Sequence, residues 1–215
     1  MKTILLKDAA ALIPDGASVM IGGFMGVGTP ERLVDELVRQ GKRNLTVIAN
    51  DNALPGVGIG KLISAGAVKK TIASHIGLNP ETQKKMLAGE LEVDLVPQGT
   101  LIERIRAGGF GLGGVLTSTG VGTVVEKGKQ RIEVDGKPYL LETALRADFA
   151  LVDAFLADYI GNLYYALTAR NFNPVIAMAA DTVIVEADNI VPVGVIAPDQ
   201  VMTPAPVVDY IISHA

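Results

Sequence analysis

The chain has 215 residues, of which 49% are hydrophobic and 20% are charged, and its formal net charge is −4. This small negative charge, with no cluster of Lys and Arg, argues against a nucleic-acid-binding protein, because such proteins need cations to displace counterions from phosphates. Cysteine is absent from the sequence, which excludes disulfides, thiolate catalysis and cysteine-ligated metals.

The N-terminal segment is a brief apolar run interrupted by Lys7 and Asp8. It is too short for the hydrophobic region of a signal peptide and too short for a membrane span. No other uncharged apolar run approaches the length of a span. We therefore expect a cytoplasmic protein with no membrane partner.

A strand, a glycine-rich loop and a helix follow near the N-terminus. Residues 19–21 form an apolar run typical of a buried strand, and Gly22 ends it. The loop comprises residues 24–30. Apolar residues at helical spacing over 33–38 then predict a helix that Gly41 closes.

This unit predicts a site for an anionic ligand. It places backbone N–H groups and a helix N-terminus beyond the carboxyl end of a strand, where open α/β sheets bind phosphate or carboxylate. A tight turn with no ligand is the alternative, because a single glycine motif is a weak signal. No Lys-Ser or Lys-Thr pair follows the glycines, which argues against a P-loop and against hydrolysis of nucleoside triphosphates.

Strand and helix patterns alternate along the rest of the chain. They predict an α/β fold with an open, mostly parallel sheet and helices on both faces. No repeat, low-complexity tract or hydrophilic linker interrupts the pattern, so we expect one domain over residues 1–215. The predicted strands cover residues 45–49, 68–73, 91–95, 149–152 and 182–185, and the predicted helices cover residues 59–65, 80–88, 101–107 and 174–180.

Three further patterns refine this fold. Glu92 and Asp94 alternate with apolar residues, which predicts a strand near a sheet edge. The Asp135-Gly136 pair is a strong turn signal and predicts a β-hairpin over residues 130–141. Prolines scattered over residues 190–212 favour extended segments and turns.

A formal G-x-G-x-x-G pattern occurs at Gly109, Gly111 and Gly114. The dinucleotide-binding fingerprint follows a strand and opens a helix, whereas here a predicted helix comes first. We therefore expect no dinucleotide site at these glycines.

The stretch from Asp15 to Pro30 resembles the signature of the family I coenzyme A transferases. It reads Asp-Gly, two free positions, three apolar residues, Gly-Gly-Phe, three free positions, Gly, one free position and Pro. The resemblance continues through Asn50, P-Q-G-T at 97–100, T-S-T-G-V-G-T at 117–123 and A-R-N-F-N-P at 169–174. It is greatest to the α subunits of two-subunit bacterial enzymes of the acetate or acetoacetate kind, and extends to the N-terminal half of fused succinyl-CoA:3-ketoacid transferases.

This resemblance implies a ping-pong transfer of CoA between short-chain acyl-CoA esters (acetyl-CoA, acetoacetyl-CoA or butyryl-CoA) and free carboxylic acids, through an enzyme-CoA thioester. The family's nucleophilic glutamate lies in a Ser-Glu-Asn-Gly motif of the β subunit, and this chain has no such motif. We therefore assign no catalytic residue to this chain. The resemblance implies a β-subunit partner, an α2β2 hetero-oligomer, and coenzyme A as a substrate with no permanently bound cofactor.

Candidate site residues follow from the loop and the resemblance. Besides contacting CoA, the backbone amides of the glycine loop could hold the oxyanion of a tetrahedral intermediate. Gln98 and Asn50, each just past a predicted strand, are candidates for supporting the substrate site, with ordinary loop hydrogen bonding as the alternative. His75 and His214 have no His or Cys neighbours in sequence, so no metal site is expected. The candidate CoA-binding segment is Phe24, Met25, Gly26, Val27, Gly28, Thr29 and Pro30.

Two other functions stay open from the sequence. A sugar-phosphate-binding α/β domain could share this scaffold, because fold does not fix function, and it would work without a partner. A non-catalytic regulatory subunit that binds CoA or a fatty acid would show no transfer with any β subunit.

Overall fold

The computed structural model describes residues 2–213. The apolar runs form the strands of two β-sheets, and amphipathic helices pack beside them. His214 lies outside the described residues. The helices are α1 (Leu6–Ala11), α2 (Glu31–Arg39), α3 (Ile59–Ser64), α4 (Pro80–Leu87), α5 (Gln98–Gly109) and α6 (Asn173–Ile176). The strands are β1 (Lys2–Ile4), β2 (Ser18–Ile21), β3 (Leu45–Asp51), β4 (Val68–His75), β5 (Glu92–Leu95), β6 (Gly114–Thr117), β7 (Arg131–Val134), β8 (Lys137–Thr143), β9 (Ala147–Asp158), β10 (Leu163–Tyr164), β11 (Ala180–Val191) and β12 (Tyr210–Ile212).

The larger sheet has nine strands, eight of them in the order β1-β12-β11-β9-β2-β3-β4-β5. Every neighbouring pair in that order is parallel, and the short β10 pairs antiparallel with β9. The predicted open, mostly parallel sheet is therefore confirmed. Strand β5, in which Glu92 and Asp94 alternate with apolar residues, lies at the edge of the sheet, as predicted.

Helices cover both faces of this sheet, which is also as predicted. On one face Ala9, Leu33 and Leu62, from α1, α2 and α3, pack with the inward side chains of β2 and β3. On the other face Leu101 and Ile176, from α5 and α6, pack in a second core. Both faces of the central strands are thus buried, which explains their continuous apolar runs.

The smaller sheet is antiparallel, in the order β6-β8-β7. Strands β7 and β8 form the predicted hairpin, and its two turn residues, Asp135 and Gly136, have φ of 51° and 72°. A two-residue hairpin turn of type I′ requires positive φ at both of its central residues.

One predicted helix is too long. The prediction over residues 174–180 is wrong after Ile176, because the chain then closes with i to i−3 bonds, such as the Ala179 amide to the Ile176 carbonyl at 3.0 Å. Ala180 already pairs with Ala147 in the sheet, so Asp181 lies within β11 rather than before it. Strand pairing ends the helix earlier than its apolar residues suggest.

The glycines of the formal dinucleotide pattern lie between a helix and a strand. Gly109 is the last residue of α5 and Gly114 is the first residue of β6. This order is the reverse of the one that a dinucleotide fingerprint needs. Within residues 2–213, no helix has the length and apolarity needed to cross a membrane.

Candidate functional site

The glycine loop follows the shortest of the central strands. β2 ends at Ile21, and the Gly22 amide makes one more bond along the neighbouring strand, to the Leu151 carbonyl at 3.1 Å. β9 continues beyond that point to Asp158, and β11 to Val191. The loop therefore lies in a crevice at the carboxyl end of the sheet, where ligands of open α/β sheets bind.

The tip of the loop is a tight reversal from Phe24 to Val27. The amide of each of these two residues donates to the carbonyl of the other, at 3.0 Å in both directions. Met25 and Gly26, between them, have φ of 52° and 92°. The side chains of Phe24, Met25 and Val27 are 44%, 38% and 53% exposed, so the tip presents three apolar groups outward.

A buried carboxylate from the neighbouring strand holds this tip. Asp51, 3% exposed at the end of β3, accepts the Met25 amide at 3.0 Å on Oδ2 and 3.3 Å on Oδ1. Its Oδ1 also accepts the Ala53 amide at 2.7 Å. Asp51 belongs to the polar run Asn-Asp-Asn that follows the predicted strand, where a ligand was expected, but its role in holding the loop was not predicted.

The base of the loop is held from the opposite side by Asn173. This side chain is fully buried, and its Nδ2 donates to the carbonyls of Gly28 and Ala169, each at 2.8 Å. Its Oδ1 accepts the amide of Asp153 at 3.1 Å. Asn173 belongs to the A-R-N-F-N-P motif, which was the sequence signal for it, but the prediction gave it no role.

Most amides of the loop are already used within the protein. The acceptors named above take the amides of Phe24, Met25 and Val27, and the Gly26 carbonyl accepts the Thr29 amide. Within residues 2–213, the Gly26 and Gly28 amides donate to no protein acceptor. Gly28 is buried, whereas Gly26 is partly exposed, so the Gly26 amide is the donor that the loop can offer to a ligand.

The helix N-terminus after the loop is not open to an anion, contrary to the prediction. The carboxylate of Glu186 on β11 accepts the first-turn amides of α2, from Arg32 at 3.1 Å and from Leu33 at 2.8 Å. A carboxylate here satisfies the unpaired amides and the helix dipole. Burial raises the pKa of Glu186, and the two backbone donors oppose that rise.

Further carboxylates lie close to Glu186. Asp153 is half-buried and pairs with Glu186 in the register of β9 and β11. Burial, followed by repulsion from Asp188, Glu186 and Glu31, raises the pKa of Asp153 from 3.8 to about 7. A phosphate at that point would add negative charge beside carboxyl groups that already resist ionisation, so its binding there is disfavoured.

An open cavity of about 510 Å³ lies on the outer side of the loop. Its walls are mainly apolar and come from the loop and from residues 168–171. Two bordering non-glycine residues have positive φ, 49° at Leu167 and 24° at Asn171, a backbone conformation that costs energy and clusters at functional sites. The lining residues are Phe24, Met25, Val27, Thr168 and Asn171.

The two other predicted site residues lie elsewhere. Gln98 is exposed and is the first residue of α5 rather than part of a loop. Asn50 lies inside β3 rather than after it, is 4% exposed, and its Oδ1 accepts the Ser74 hydroxyl at 3.0 Å. Within residues 2–213, no hydrogen bond joins either side chain to the loop at 22–30. Their roles in a substrate site stay predictions.

Comparison with known proteins gives consistent matches over nearly the whole chain. The family model described as coenzyme A transferase matches residues 3–214. The acetate CoA-transferase subunit alpha of Escherichia coli K12 is 58% identical over 211 residues, which cover 98% of this chain and 96% of that protein. The acetoacetyl-CoA:acetate/butyrate CoA transferase alpha subunit of Clostridium acetobutylicum is 53% identical over 213 residues, covering 99% and 98%.

A solved structure shares the fold. The crystal structure of an acyl-CoA transferase from Escherichia coli O157:H7, as a thioester complex with CoA, matches with a TM-score of 0.87. The match covers 98% of this chain and 46% of that chain, at 23% sequence identity.

Proposed function

Because the chain belongs to the coenzyme A transferase family, we propose that it is the α subunit of an enzyme that moves CoA between short-chain acyl-CoA esters and free carboxylic acids. The two relatives described above, both α subunits, carry names that fit this reaction. The observation that carries the proposal is the loop at 22–30, which combines a free amide at Gly26 with an apolar cavity.

The loop takes the thioester end of the CoA ester, not its phosphates. The carboxylate of Glu186 already accepts the first-turn amides of the helix after the loop, so these donors are not open to a phosphate, whereas a thioester carbonyl carries no net charge. The free amide of Gly26 suits the carbonyl oxygen and the oxyanion that develops from it. The apolar side chains at the tip suit a short aliphatic acyl group.

The covalent chemistry belongs to a partner subunit. In the reaction that the family resemblance implies, a glutamate carboxylate attacks the thioester carbonyl, and the tetrahedral intermediate releases CoA as a thiolate and becomes an acyl-glutamyl anhydride. The thiolate then attacks the glutamyl carbonyl, which releases the acyl group as a carboxylate and leaves an enzyme-CoA thioester. A second carboxylate reverses both steps. This chain lacks the Ser-Glu-Asn-Gly motif, so the glutamate comes from the β subunit.

Each active site would then lie at an interface, where the loop of this chain faces the glutamate of the β subunit. We propose an α2β2 assembly for the whole enzyme. A cytoplasmic location stays a prediction.

The test is a comparison of the chain alone with the chain mixed with its β subunit. Only the mixture should transfer CoA from acetoacetyl-CoA to acetate. Denaturing mass spectrometry after incubation with acetoacetyl-CoA should find the CoA adduct on the β subunit and this chain at its unmodified mass. A mixture in which the motif glutamate of the β subunit is replaced by Gln is the control and should form no adduct.

Two results would contradict the proposal. One is a CoA adduct on this chain or transfer by this chain alone. The other is a stable complex that binds CoA esters but transfers nothing, which would indicate a regulatory subunit.

A further inference from the structure

Asp51 has an unusual place in this loop. It lies 26 residues from Met25 in sequence, yet its carboxylate is the one side chain within residues 2–213 that hydrogen-bonds to an amide of the 24–27 tip. The other hydrogen bonds of the tip join backbone groups within residues 24–29 of the same loop. The attachment of the tip to the sheet therefore depends on this carboxylate.

The position of Asp51 also explains why Met25 tolerates its backbone conformation. A non-glycine residue at φ of 52° is strained unless the surroundings over-determine it. The bond from the Met25 amide to a charged, buried acceptor supplies that constraint, because hydrogen bonds to ionised groups are stronger than neutral ones. Without it, the tip could leave this conformation.

We propose that Asp51 is a positioning residue for acyl transfer. By holding the Met25 amide, it fixes the conformation of the tip and so positions the free amide of the adjacent Gly26 for the reacting carbonyl. It acts through the loop and does not touch substrate. This inference rests on the function proposed above, because it takes the loop to bind the thioester.

The geometry sets different expectations for two substitutions. Asp51→Ala removes the acceptors for both the Met25 and Ala53 amides. Asp51→Asn keeps the shape and one oxygen, which can still accept from Ala53 at the Oδ1 position and, at the longer distance, from Met25. The Asn variant should therefore retain much of the function that the Ala variant loses.

A matched control is available in Asp158. This carboxylate is 1% exposed and accepts the amides of Ile160, Gly161 and Asn162 at 2.9 to 3.1 Å, in the turn between β9 and β10. It thus also holds a turn from a buried position, but within residues 2–213 it makes no hydrogen bond to the loop. Asp158→Ala tests whether the loss of any buried carboxylate that holds a turn is enough to lower kcat.

The experiment measures transfer from acetoacetyl-CoA to acetate by the assembled complex with the β subunit. Active sites are counted by the covalent CoA adduct, so that kcat is expressed per assembled site. Loss of a hydrogen bond to a charged group predicts a kcat about 10- to 100-fold lower for Asp51→Ala, with the KM for acetate changed less than about threefold. Asp51→Asn should lie within about fivefold of wild type, and Asp158→Ala should keep the wild-type kcat per site.

The outcomes separate this inference from the proposed function. If wild type transfers CoA and Asp51→Ala keeps the wild-type kcat per site, Asp51 has only a structural role and the inference is wrong, while the proposed function stands. An equal loss in Asp158→Ala would overturn it in the same way. If the Ala variant does not assemble, Asp51→Asn decides through hydrogen exchange at the Met25 amide: faster exchange with a reduced kcat supports the inference, and faster exchange with unchanged kcat overturns it. If wild type itself transfers nothing, both proposals fall.

Discussion

Replacing Asp153 by Asn should stabilise the protein at alkaline pH. Asp153 is half-buried on β9, next to Glu186 in the register of the sheet, and three other carboxylates repel its charge. Its pKa is about 7 in the folded chain, against 3.8 for an ordinary Asp. The folded state therefore holds this proton more tightly than the unfolded state does.

The sign and the size of the effect follow from that difference. A raised pKa means that the contribution of Asp153 to stability is fully present below about pH 4 and is lost as the pH rises through about 7. A shift of about 3 units corresponds to about 4 kcal/mol at most, at 1.36 kcal/mol per unit. Partial exposure and salt screening reduce this figure, and we expect about 2 kcal/mol. Asn fills the same space without the charge, so it should recover this loss.

Urea unfolding of wild type and Asp153→Asn at pH 4.5 and pH 8 provides the measurement. The Asn variant should be more stable by about 2 kcal/mol at pH 8 and by much less at pH 4.5, which lies only just above the ordinary Asp pKa of 3.8. Asp94→Asn, an exposed position on the edge strand β5, is the control and should change little at either pH. No gain in stability for Asp153→Asn at pH 8, or an equal gain at both pH values, would contradict this origin of the pH dependence.

Two further predictions concern the loop and Gln98. Gly28→Ala should lower the free energy of unfolding by about 2 kcal/mol in a urea titration, because Gly28 has φ of 81° and a Cβ there would lie 2.4 Å from the Ala169 carbonyl oxygen. Gly16→Ala, at a similar φ of 83° but with no atom within 4 Å of the added Cβ, should cost less, and equal losses would show that the close approach to Ala169 is unimportant. Gln98→Ala should lower the turnover of the assembled enzyme without abolishing the covalent CoA adduct, since an exposed amide supplies orientation and not charge. Unchanged steady-state kinetics would remove Gln98 from the site.

Local patterns were enough to predict most of the fold. Continuous apolar runs identified the central strands because both faces of the parallel sheet are buried, and the alternation at Glu92 and Asp94 identified the edge strand. The error over 174–180 has the same origin. An apolar run adjoining a buried strand has no periodic feature that marks where the helix ends, and pairing of Ala180 with Ala147 decided it.

The side chains that hold the loop could not be predicted in the same way. Asp51, Asn173 and Glu186 reach loop or helix atoms that are 26, 145 and 154 residues away in sequence. The register of the sheet creates these contacts, and no local pattern records that register. The prediction of an open helix N-terminus failed for this reason, because Glu186 comes from a distant strand.

The contacts around the loop bear on what a glycine motif can mean. Glycines let the backbone at 26 and 28 adopt positive φ, but they also make a free loop more disordered, because glycine has many accessible conformations. Buried side chains from β3 and α6 remove that freedom on folding, so a ligand meets amides that are already oriented and loses little entropy in ordering them. A loop preorganised in this way stabilises a transition state better than a flexible loop with the same sequence would. The proposed chemistry of the loop would therefore depend on Asp51 and Asn173 as much as on its glycines, and a similar glycine motif without such partners would indicate a turn and not a site.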